Sequence, residues 1–280
     1  MAADIPPHEA FAAVGDETRI DILHTLWEHR EESLSFSDLF EASALTDSGQ
    51  FNYHLDRLRG HFIERTEEGY RLRNPGMDVV LSVLSNIVED HPLTEPAVLE
   101  ADCRGCGSPL ELSFGDAWLS VECSSCPITY SGFPTPPAGL NGRTVSEIAT
   151  MFDERVRRLS GLCHRGVCPL CAGQVETDAR DASEKMPMPA AYRHSCLHCT
   201  GIVLTPLGMP LLEEPAVVSF CHRTGVDLRR PFWRIEWLFG DEHVSVESLE
   251  PLEATVTVPG AGERLLAHLD SSGVTSIERK

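Results

Sequence analysis

The chain has 280 residues, a hydrophobic content of 42% and a formal net charge of -20. This length allows one large domain or two to three small ones, and the ordinary hydrophobic content excludes a disordered polar chain. No apolar run reaches the length of a membrane span, and the N-terminal stretch MAADIPPHEAF lacks the apolar core of a signal peptide. A cytoplasmic protein is therefore expected.

The basic residues are almost all arginine. Lysine occurs only at Lys185 and Lys280 among 23 basic residues, whereas the acidic residues are spread over nearly every segment. Surface acidity aids solubility, and in a cytoplasm rich in salt the screening of charges makes self-repulsion tolerable. This composition resembles that of proteins from extremely halophilic archaea.

The N-terminal residues predict a series of short helices. Residues 9–31 are predicted to form two helices, with Asp16 as the N-cap of the second. A third helix is predicted in FSDLFEAS, and a fourth over residues 47–59, DSGQFNYHLDRLR, capped by Asp47 or Ser48. Apolar residues of the fourth helix recur at helical spacing and predict one buried stripe, formed by Phe51, Leu55 and Leu58.

The opposite face of the fourth helix is polar. It consists of Ser48, Gln50, Asn52, Tyr53 and Arg57. The next stretch, HFIERTEEGYRLRN, alternates apolar and polar residues on either side of a turn at Glu67-Glu68-Gly69, which predicts a two-stranded hairpin. The second, third and fourth of these helices, the fourth polar on its outer face, followed by a hairpin are typical of a winged helix-turn-helix.

Three stretches resemble one known family. VGDETRIDILHTL, SGQFNYHLDRLRG and FIERTEEGYRLR are similar to the first helix, the recognition helix and the wing of ArsR-type transcriptional regulators, haloarchaeal members in particular. The resemblance covers roughly residues 8–75. It implies that the fourth helix enters the major groove of double-stranded DNA, with Gln50, Asn52 and Tyr53 near base edges. It further implies phosphate contacts from Arg57, Arg65, Arg71 and Arg73.

Charge and flanking sequence bear on this expectation. Residues 47–73 contain five Arg and five Asp or Glu, so the charge deficit lies outside the expected DNA surface. The alternative is a winged helix that serves only as a dimer or protein-contact module. A helix over residues 76–91 has an apolar stripe that predicts a homodimer contact or, alternatively, packing on its own domain; the stripe is Met77, Val80, Leu84, Ile87 and Val88.

Eight of the ten cysteines form four Cys-x-x-Cys pairs, and the first two pairs are separated by sixteen residues. This spacing matches a zinc ribbon, in which four thiolates surround one Zn²⁺ at about 2.3 Å per bond. The strands LELSF and WLSVEC on either side of Gly115-Asp116 supply the hairpin that a ribbon requires. The predicted ligands are Cys103, Cys106, Cys123 and Cys126.

The other two pairs are separated by twenty-four residues and predict a second Zn²⁺. CRGCGSPLE and CPLCAGQVE share their spacing and a Glu at the same offset, which indicates an internal duplication. Two alternatives stay open: pairs exchanged between the ribbons, and His194 or His198 in place of a cysteine. The predicted ligands are Cys168, Cys171, Cys196 and Cys199. A closed four-thiolate site leaves no position for catalytic water.

The remaining segments predict a mixed C-terminal region. Residues 133–144 are interpreted as a Pro/Gly linker, and residues 145–162 as a helix whose arginines face solvent. FWRIEWLFG is interpreted as a strand, and three or four further short strands are predicted after it. Cys163 and Cys221 are unpaired and are expected to be buried, inert thiols. The stretches GVCPLC and FPTPP resemble a domain fused to haloarchaeal winged helices.

Together these observations predict an α+β protein. Its predicted domains are a winged helix-turn-helix with a dimerisation helix (1–92), a first zinc ribbon (93–132), and a helix, second ribbon and C-terminal α+β module (133–280). The predicted function is sequence-specific regulation of transcription, with two structural zinc ions per chain and an effector, protein or small molecule, at the C-terminal region. The alternative is an adaptor whose ribbons bind the transcription machinery. An enzyme is not expected, since no nucleophile elbow, phosphate loop or open metal triad is present.

Overall fold

The computed structural model describes residues 6–87 and 91–280. The chain forms two compact units, Met1–Val88 (unit 1) and Glu89–Lys280 (unit 2). Each unit has its own hydrophobic core. None of the helices in the described ranges is long and apolar enough to cross a membrane.

Unit 1 consists of five helices and one hairpin. Its elements are α1 (Pro7–Val14), α2 (Glu17–Glu28), α3 (Phe36–Ala42), α4 (Ser48–Leu58), β1 (Ile63–Arg65), β2 (Tyr70–Leu72) and α5 (Asn74–Ser85). The two strands are antiparallel, with Ile63 opposite Leu72 and Arg65 opposite Tyr70.

Side chains cap three of these helices at their first turn. The Asp16 carboxylate accepts a hydrogen bond from the Arg19 backbone N–H at the start of α2. At α4, Oδ1 of Asp47 accepts from the N–H groups of Gly49 at 2.7 Å and Gln50 at 3.0 Å. Asp47 rather than Ser48 is therefore the N-cap of α4, and the helix begins where the sequence predicts.

The core of unit 1 includes the predicted stripe of α4, since Phe51, Leu55 and Leu58 are all buried. The apolar stripe of α5 also faces this core: Val80 is buried, and Met77 and Leu84 pack against the cluster. The helix ends at Ser85 rather than extending to residue 91, and Val88 lies outside the described residues. The stripe predicted for dimer contact is thus largely used within unit 1. A different part of α5 is exposed, at Leu81 and Val83.

Unit 2 contains three antiparallel sheets and two helices among its described residues. The first sheet has the order β3-β4-β5-β6, the second β7-β8-β9 and the third β10-β11-β12-β13. Every strand pairs with its neighbour in the chain, so all three sheets are meanders. The strands are β3 (Ala97–Asp102), β4 (Pro109–Gly115), β5 (Trp118–Cys123), β6 (Thr129–Pro134), β7 (Val175–Asp181), β8 (Ala190–Cys196), β9 (Ile202–Pro206), β10 (Val244–Leu249), β11 (Leu252–Pro259), β12 (Arg264–Asp270) and β13 (Gly273–Arg279). The helices are α6 (Val145–His164) and α7 (Pro215–Thr224).

One hydrophobic core runs through unit 2. It includes side chains from all three sheets and both helices, among them Leu112, Phe152, Tyr192, Phe220 and Val256. The predicted domain boundary between residues 132 and 133 stays a prediction, and residues on both sides of it, such as Leu112 and Phe152, belong to this core. The described residues thus form a mixed α+β protein with seven α-helices and four antiparallel sheets, which confirms the fold class at that level.

Two sequence-based interpretations of unit 2 are wrong. Residues 133–144 are not a free linker, since Phe133, Thr135 and Leu140 are buried. FWRIEWLFG is not a strand; it forms two 3-10 turns, Phe232–Arg234 and Glu236–Leu238. The alternation of apolar and polar residues was misleading because both sides of this segment are covered: Phe232 and Leu238 are as fully buried as Trp237 and Phe239.

Candidate functional site

The first cluster of cysteines lies at one end of the first sheet. The pair Cys103 and Cys106 follows β3, and Cys123 and Cys126 stand at the end of β5 and in the turn after it. The sulfur atoms of Cys103 and Cys126 are 3.7 Å apart, and those of Cys106 and Cys123 are 3.4 Å apart. All four sulfurs lie within 4.8 Å of one another.

The second cluster repeats this arrangement at the end of the second sheet. Sγ of Cys168 is 3.7 Å from Sγ of Cys199, and Sγ of Cys171 is 3.5 Å from Sγ of Cys196. These four sulfurs also lie within 4.8 Å of one another. The pairs therefore combine within each ribbon, as the chain order predicts, and are not exchanged between ribbons.

The spacing of the sulfurs fits a tetrahedral metal site. Four thiolates at about 2.3 Å from a central Zn²⁺ would stand about 3.8 Å from one another, close to the separations in both clusters. The four-sulfur donor set is typical of Zn²⁺ or an iron–sulfur site and unlike a magnesium or calcium site. Both clusters are thus positioned to bind one metal ion each, consistent with zinc.

Backbone groups around each cluster orient and stabilise the thiolates. The N–H groups of Ser125 and Cys126 point at Sγ of Cys123, both at 3.4 Å. In the second cluster the N–H groups of His198 and Cys199 point at Sγ of Cys196, at 3.3 and 3.4 Å. Hydrogen bonds from the Cys199 and His198 backbone lower the pKa of Cys196 to about 6. Against backbone hydrogen bonds from Ile128 and Gly173, desolvation and the neighbouring thiols raise the pKa of Cys126 and Cys171 to about 12. Without a metal each cluster is therefore only partly ionised, and metal binding has to release the remaining protons.

The pKa of Cys106 is lowered in the same way as that of Cys196. Hydrogen bonds from the backbone and side chain of Ser108 lower the pKa of Cys106 to about 6. With four protein ligands, each site is coordinatively closed, so the arrangement suits a structural ion rather than an activated water.

Neither His194 nor His198, which flank the start of the pair Cys196 and Cys199, replaces a cysteine in the second cluster. His194 is buried, and both of its ring nitrogens have other partners: Thr177 Oγ1 lies 2.8 Å from Nδ1 and Thr205 Oγ1 lies 3.0 Å from Nε2. Thr205 Oγ1 is also 3.2 Å from Nε2 of His164. The rings of His164 and His194 stand edge to face, with their centroids 4.6 Å apart.

We expect acid to destabilise the chain through His164. Burial lowers the pKa of His164 to about 3, below the ordinary value of about 6.5, so the unfolded chain takes up the proton first. The free energy of unfolding is therefore fully retained above about pH 6.5 and falls as the pH drops toward the folded-state pKa. Between pH 7 and pH 5 the loss through this residue is about 1–2 kcal/mol.

Urea unfolding of the wild type and of His164→Gln at these two pH values measures the effect. The variant should lose less stability on acidification than the wild type. His222→Gln, at an exposed position on α7, is the matched control and should keep the wild-type difference. An unchanged pH dependence in His164→Gln would contradict the assignment.

The two unpaired cysteines are buried as expected. Burial raises the pKa of Cys163 to about 12 and that of Cys221 to about 11. Both thiols are therefore protonated at neutral pH and poor nucleophiles.

The structure places most predicted DNA-contact residues on exposed surface of unit 1. On α4, the side chains of Ser48, Gln50, Asn52, Tyr53 and Arg57 are exposed, and Tyr53 retains 57% of its accessible surface. On the hairpin, Arg65 and Arg71 are exposed. The Asn52 amide donates to Asp56 Oδ2 at 3.1 Å, and the Arg65 guanidinium lies over the Tyr70 ring at 5.9 Å.

Residue Arg73 differs from the other predicted contacts. It is only partly exposed, and its guanidinium donates to the carbonyl oxygen of Gly60, just after α4. This bond ties the residue after the hairpin to the end of α4. Arg73 therefore has a structural role in unit 1 whatever the surface binds.

Sequence reasoning missed a buried ion pair in unit 2. Arg157 was expected to face solvent, but its Nε donates to both carboxylate oxygens of Asp153 at 2.9 Å, and Asp153 is buried. The Asp153 carboxylate also accepts the Phe232 backbone N–H at 2.6 Å. The i,i+4 spacing on α6 was the available signal, but only the packing of residues 230–232 shows that the pair is covered.

Comparison with known families covers both units. A family described as Domain of unknown function (DUF7351) matches residues 100–274. A second, described as Domain of unknown function (DUF7347), matches residues 7–83. No curated protein and no solved structure matches the sequence.

Proposed function

The chain belongs to the DUF7351 family through residues 100–274, and we propose from its own geometry that it is a sequence-specific DNA-binding regulator of transcription. In this proposal unit 1 is a winged helix-turn-helix of the ArsR type. α4 is its recognition helix, and the hairpin of β1 and β2 is its wing. Unit 2 is held together by two structural Zn²⁺ ions, one in each cysteine cluster.

The observation that carries the proposal is the exposed face of α4. It presents two amides, an aromatic ring and a guanidinium on one side of a short helix whose other side is buried in the core. Gln and Asn are the side chains that read adenine with two hydrogen bonds in the major groove. The exposed Arg65 and Arg71 on the hairpin are suited to phosphate contacts.

The distribution of charge supports the same surface. Although the chain has a net charge of -20, residues 47–73 sum to zero. At high salt, counterion release contributes little to binding, so hydrogen bonds to base edges and shape have to supply more of the affinity than in a basic regulator. A polar, nearly neutral contact face is what such a regulator requires.

A homodimer is part of the proposal. Two recognition helices related by a two-fold axis can reach successive major grooves about 34 Å apart. The exposed apolar residues Leu81 and Val83 of α5 offer a surface for the contact between copies.

Loss of DNA binding on removal of the two amides tests the proposal. We expect Gln50→Ala with Asn52→Ala to weaken binding to the chain's own promoter at least tenfold in molar KCl, because each bidentate contact contributes about 1–3 kcal/mol. The measurement is a mobility-shift titration. The control is Asn86→Ala, which removes an exposed amide from the end of α5 and should leave the affinity unchanged.

Two results would contradict DNA recognition by α4. One is wild-type protein that does not shift the promoter fragment in its native salt. The other is a double variant that remains folded by circular dichroism and binds as tightly as the wild type.

An adaptor that binds a protein of the transcription machinery is the second candidate. It is favoured by two leucines that lie inside the Cys-x-x-Cys pairs of the second cluster, Leu170 and Leu197, whose side chains are 51% and 55% exposed. Exposed apolar side chains on a metal-stabilised turn are suited to a protein contact. If Leu170→Ser with Leu197→Ser abolishes the regulatory effect while promoter binding persists, the ribbon surface is the functional one.

A further inference from the structure

An apolar cavity of ≈ 520 Å³ lies within unit 2. One wall is β6, the edge strand of the first sheet, and another is β9, the edge strand of the second. Its apolar lining includes Trp118, Phe133, Val156, Met186 and Leu204. The volume falls within the range of sites that bind small molecules.

The charge of this cavity is opposite to that of the chain. Among the residues that the structure describes, no Asp or Glu lines it, although the chain has 43 of them, and the one charged lining residue is Lys185. Lys185 is one of only two lysines, is exposed, and forms no ion pair with a described residue. A free ammonium at the rim of an apolar cavity is complementary to a ligand with one anionic group.

The backbone around Lys185 is held in place. Its carbonyl oxygen accepts the Thr129 N–H of β6 at 2.9 Å, and the next residue, Met186, donates to the Ala182 carbonyl at 2.9 Å. The Pro187 carbonyl accepts the Gly240 N–H at 2.7 Å. Because these bonds fix the turn against the first sheet, little order has to be gained when a ligand meets the lysine.

Two further features shape the interior. A Cβ atom at Gly132 would lie 2.5 Å from Nε1 of Trp118, so the indole lies directly against the glycine backbone and forms a flat, 47% exposed wall. Ser160 of α6 is only 3% exposed and lines the cavity, and its hydroxyl forms no hydrogen bond with another described residue. The hydroxyl oxygen itself is still reached by solvent at the cavity surface, so a polar atom of a ligand would bond it in place of water.

We propose that this cavity binds a small apolar carboxylate. Its apolar body lies against Trp118 and Phe133, its carboxylate pairs with Lys185, and the Ser160 hydroxyl bonds a polar atom of the ligand. The inference stands on unit 2 alone and does not rest on DNA binding by unit 1.

Three matched probes test it by calorimetry on the full chain in molar KCl. They are 4-phenylbutyrate, 4-phenylbutanol and 4-phenylbutylammonium, which share the apolar body and differ in charge. We expect one phenylbutyrate per chain, bound about fivefold more tightly than the alcohol, as a partly exposed ion pair allows. The ammonium should bind more weakly than either.

Variants assign the binding to the cavity. Lys185→Met should remove the preference for the carboxylate over the alcohol, while Arg180→Met, an exposed arginine of β7 outside the cavity lining, should preserve it. Gly132→Val should displace Trp118 and weaken all three probes; if it does not fold, Ile202→Asp, at an exposed position of the lining, takes its place.

The proposal is overturned by equal affinity for all three probes, by a carboxylate preference that survives Lys185→Met, or by no heat of binding. It is also overturned if the wild type is a dimer in light scattering that Ile202→Asp separates, since the face would then bind a second copy of the chain.

Discussion

Chelation of metal is expected to unfold unit 2. Binding of Zn²⁺ to a four-ligand site contributes about 10–16 kcal/mol in small domains at neutral pH, which is as large as the whole stability of a typical domain of about 5–15 kcal/mol. Both clusters are joined to the same core, because β5 ends at Cys123, β8 ends at Cys196, and both strands also supply buried residues. Loss of either ion should therefore destabilise the whole of unit 2.

The buried Trp233 and Trp237 report this directly, since both belong to the core of unit 2. A chelator of high zinc affinity should shift their fluorescence to longer wavelength, and added zinc should reverse the shift. Elemental analysis should find two zinc per chain in the wild type and at most one in Cys168→Ser, since loss of one ion also weakens the other site. Cys221→Ala, which removes a buried cysteine outside both clusters, should retain two.

A metal content near zero together with oxidised thiols would contradict the zinc assignment. A content of two iron atoms or an iron–sulfur absorption spectrum would keep the four-cysteine geometry and change the metal.

Truncation of Asp153 is expected to cost about 3–5 kcal/mol of unfolding free energy. Burial raises the pKa of this carboxyl, and the Arg157 guanidinium acts in the opposite direction. In Asp153→Ala, the Arg157 side chain, only 15% exposed, would keep its charge without a carboxylate beside it and would retain only the Arg230 carbonyl as acceptor. The Phe232 N–H would lose its acceptor. Thermal and urea unfolding measure the loss.

The neighbouring pair on the same helix is the control. Glu154 and Arg158 have the same i,i+4 spacing, but both are exposed and their charged atoms are 3.5 Å apart. Glu154→Ala should therefore cost less than about 1 kcal/mol. Equal costs for the two variants would show that burial of the Asp153 pair does not determine its contribution.

Local patterns alone were sufficient to place most elements of unit 1. The Asp47 cap, the spacing of Phe51, Leu55 and Leu58, and the glycine turn at residue 69 are each short-range features, and the helices and hairpin lie where these features predict. The cysteine clusters were equally readable, because a Cys-x-x-Cys turn already brings two sulfurs together and the hairpin between turns joins the pairs. Because two successive pairs lie close together in the chain, the four cysteines of each ribbon then meet at one site.

Tertiary packing decided what the local patterns left open. The stripe of α5 packs on its own unit rather than standing free, and FWRIEWLFG alternates like a strand yet forms turns because both of its sides are covered. His194 lies two residues before Cys196 in the sequence, but the packing of β7 and β9 places Thr177 and Thr205 against its ring nitrogens. The cavity beside Lys185 is lined by residues from 118 to 204. Helices, strands and Cys-x-x-Cys turns form through contacts between residues that are close in the sequence. Burial, the pairing of charges and the shape of cavities depend on segments that only the folded chain brings together.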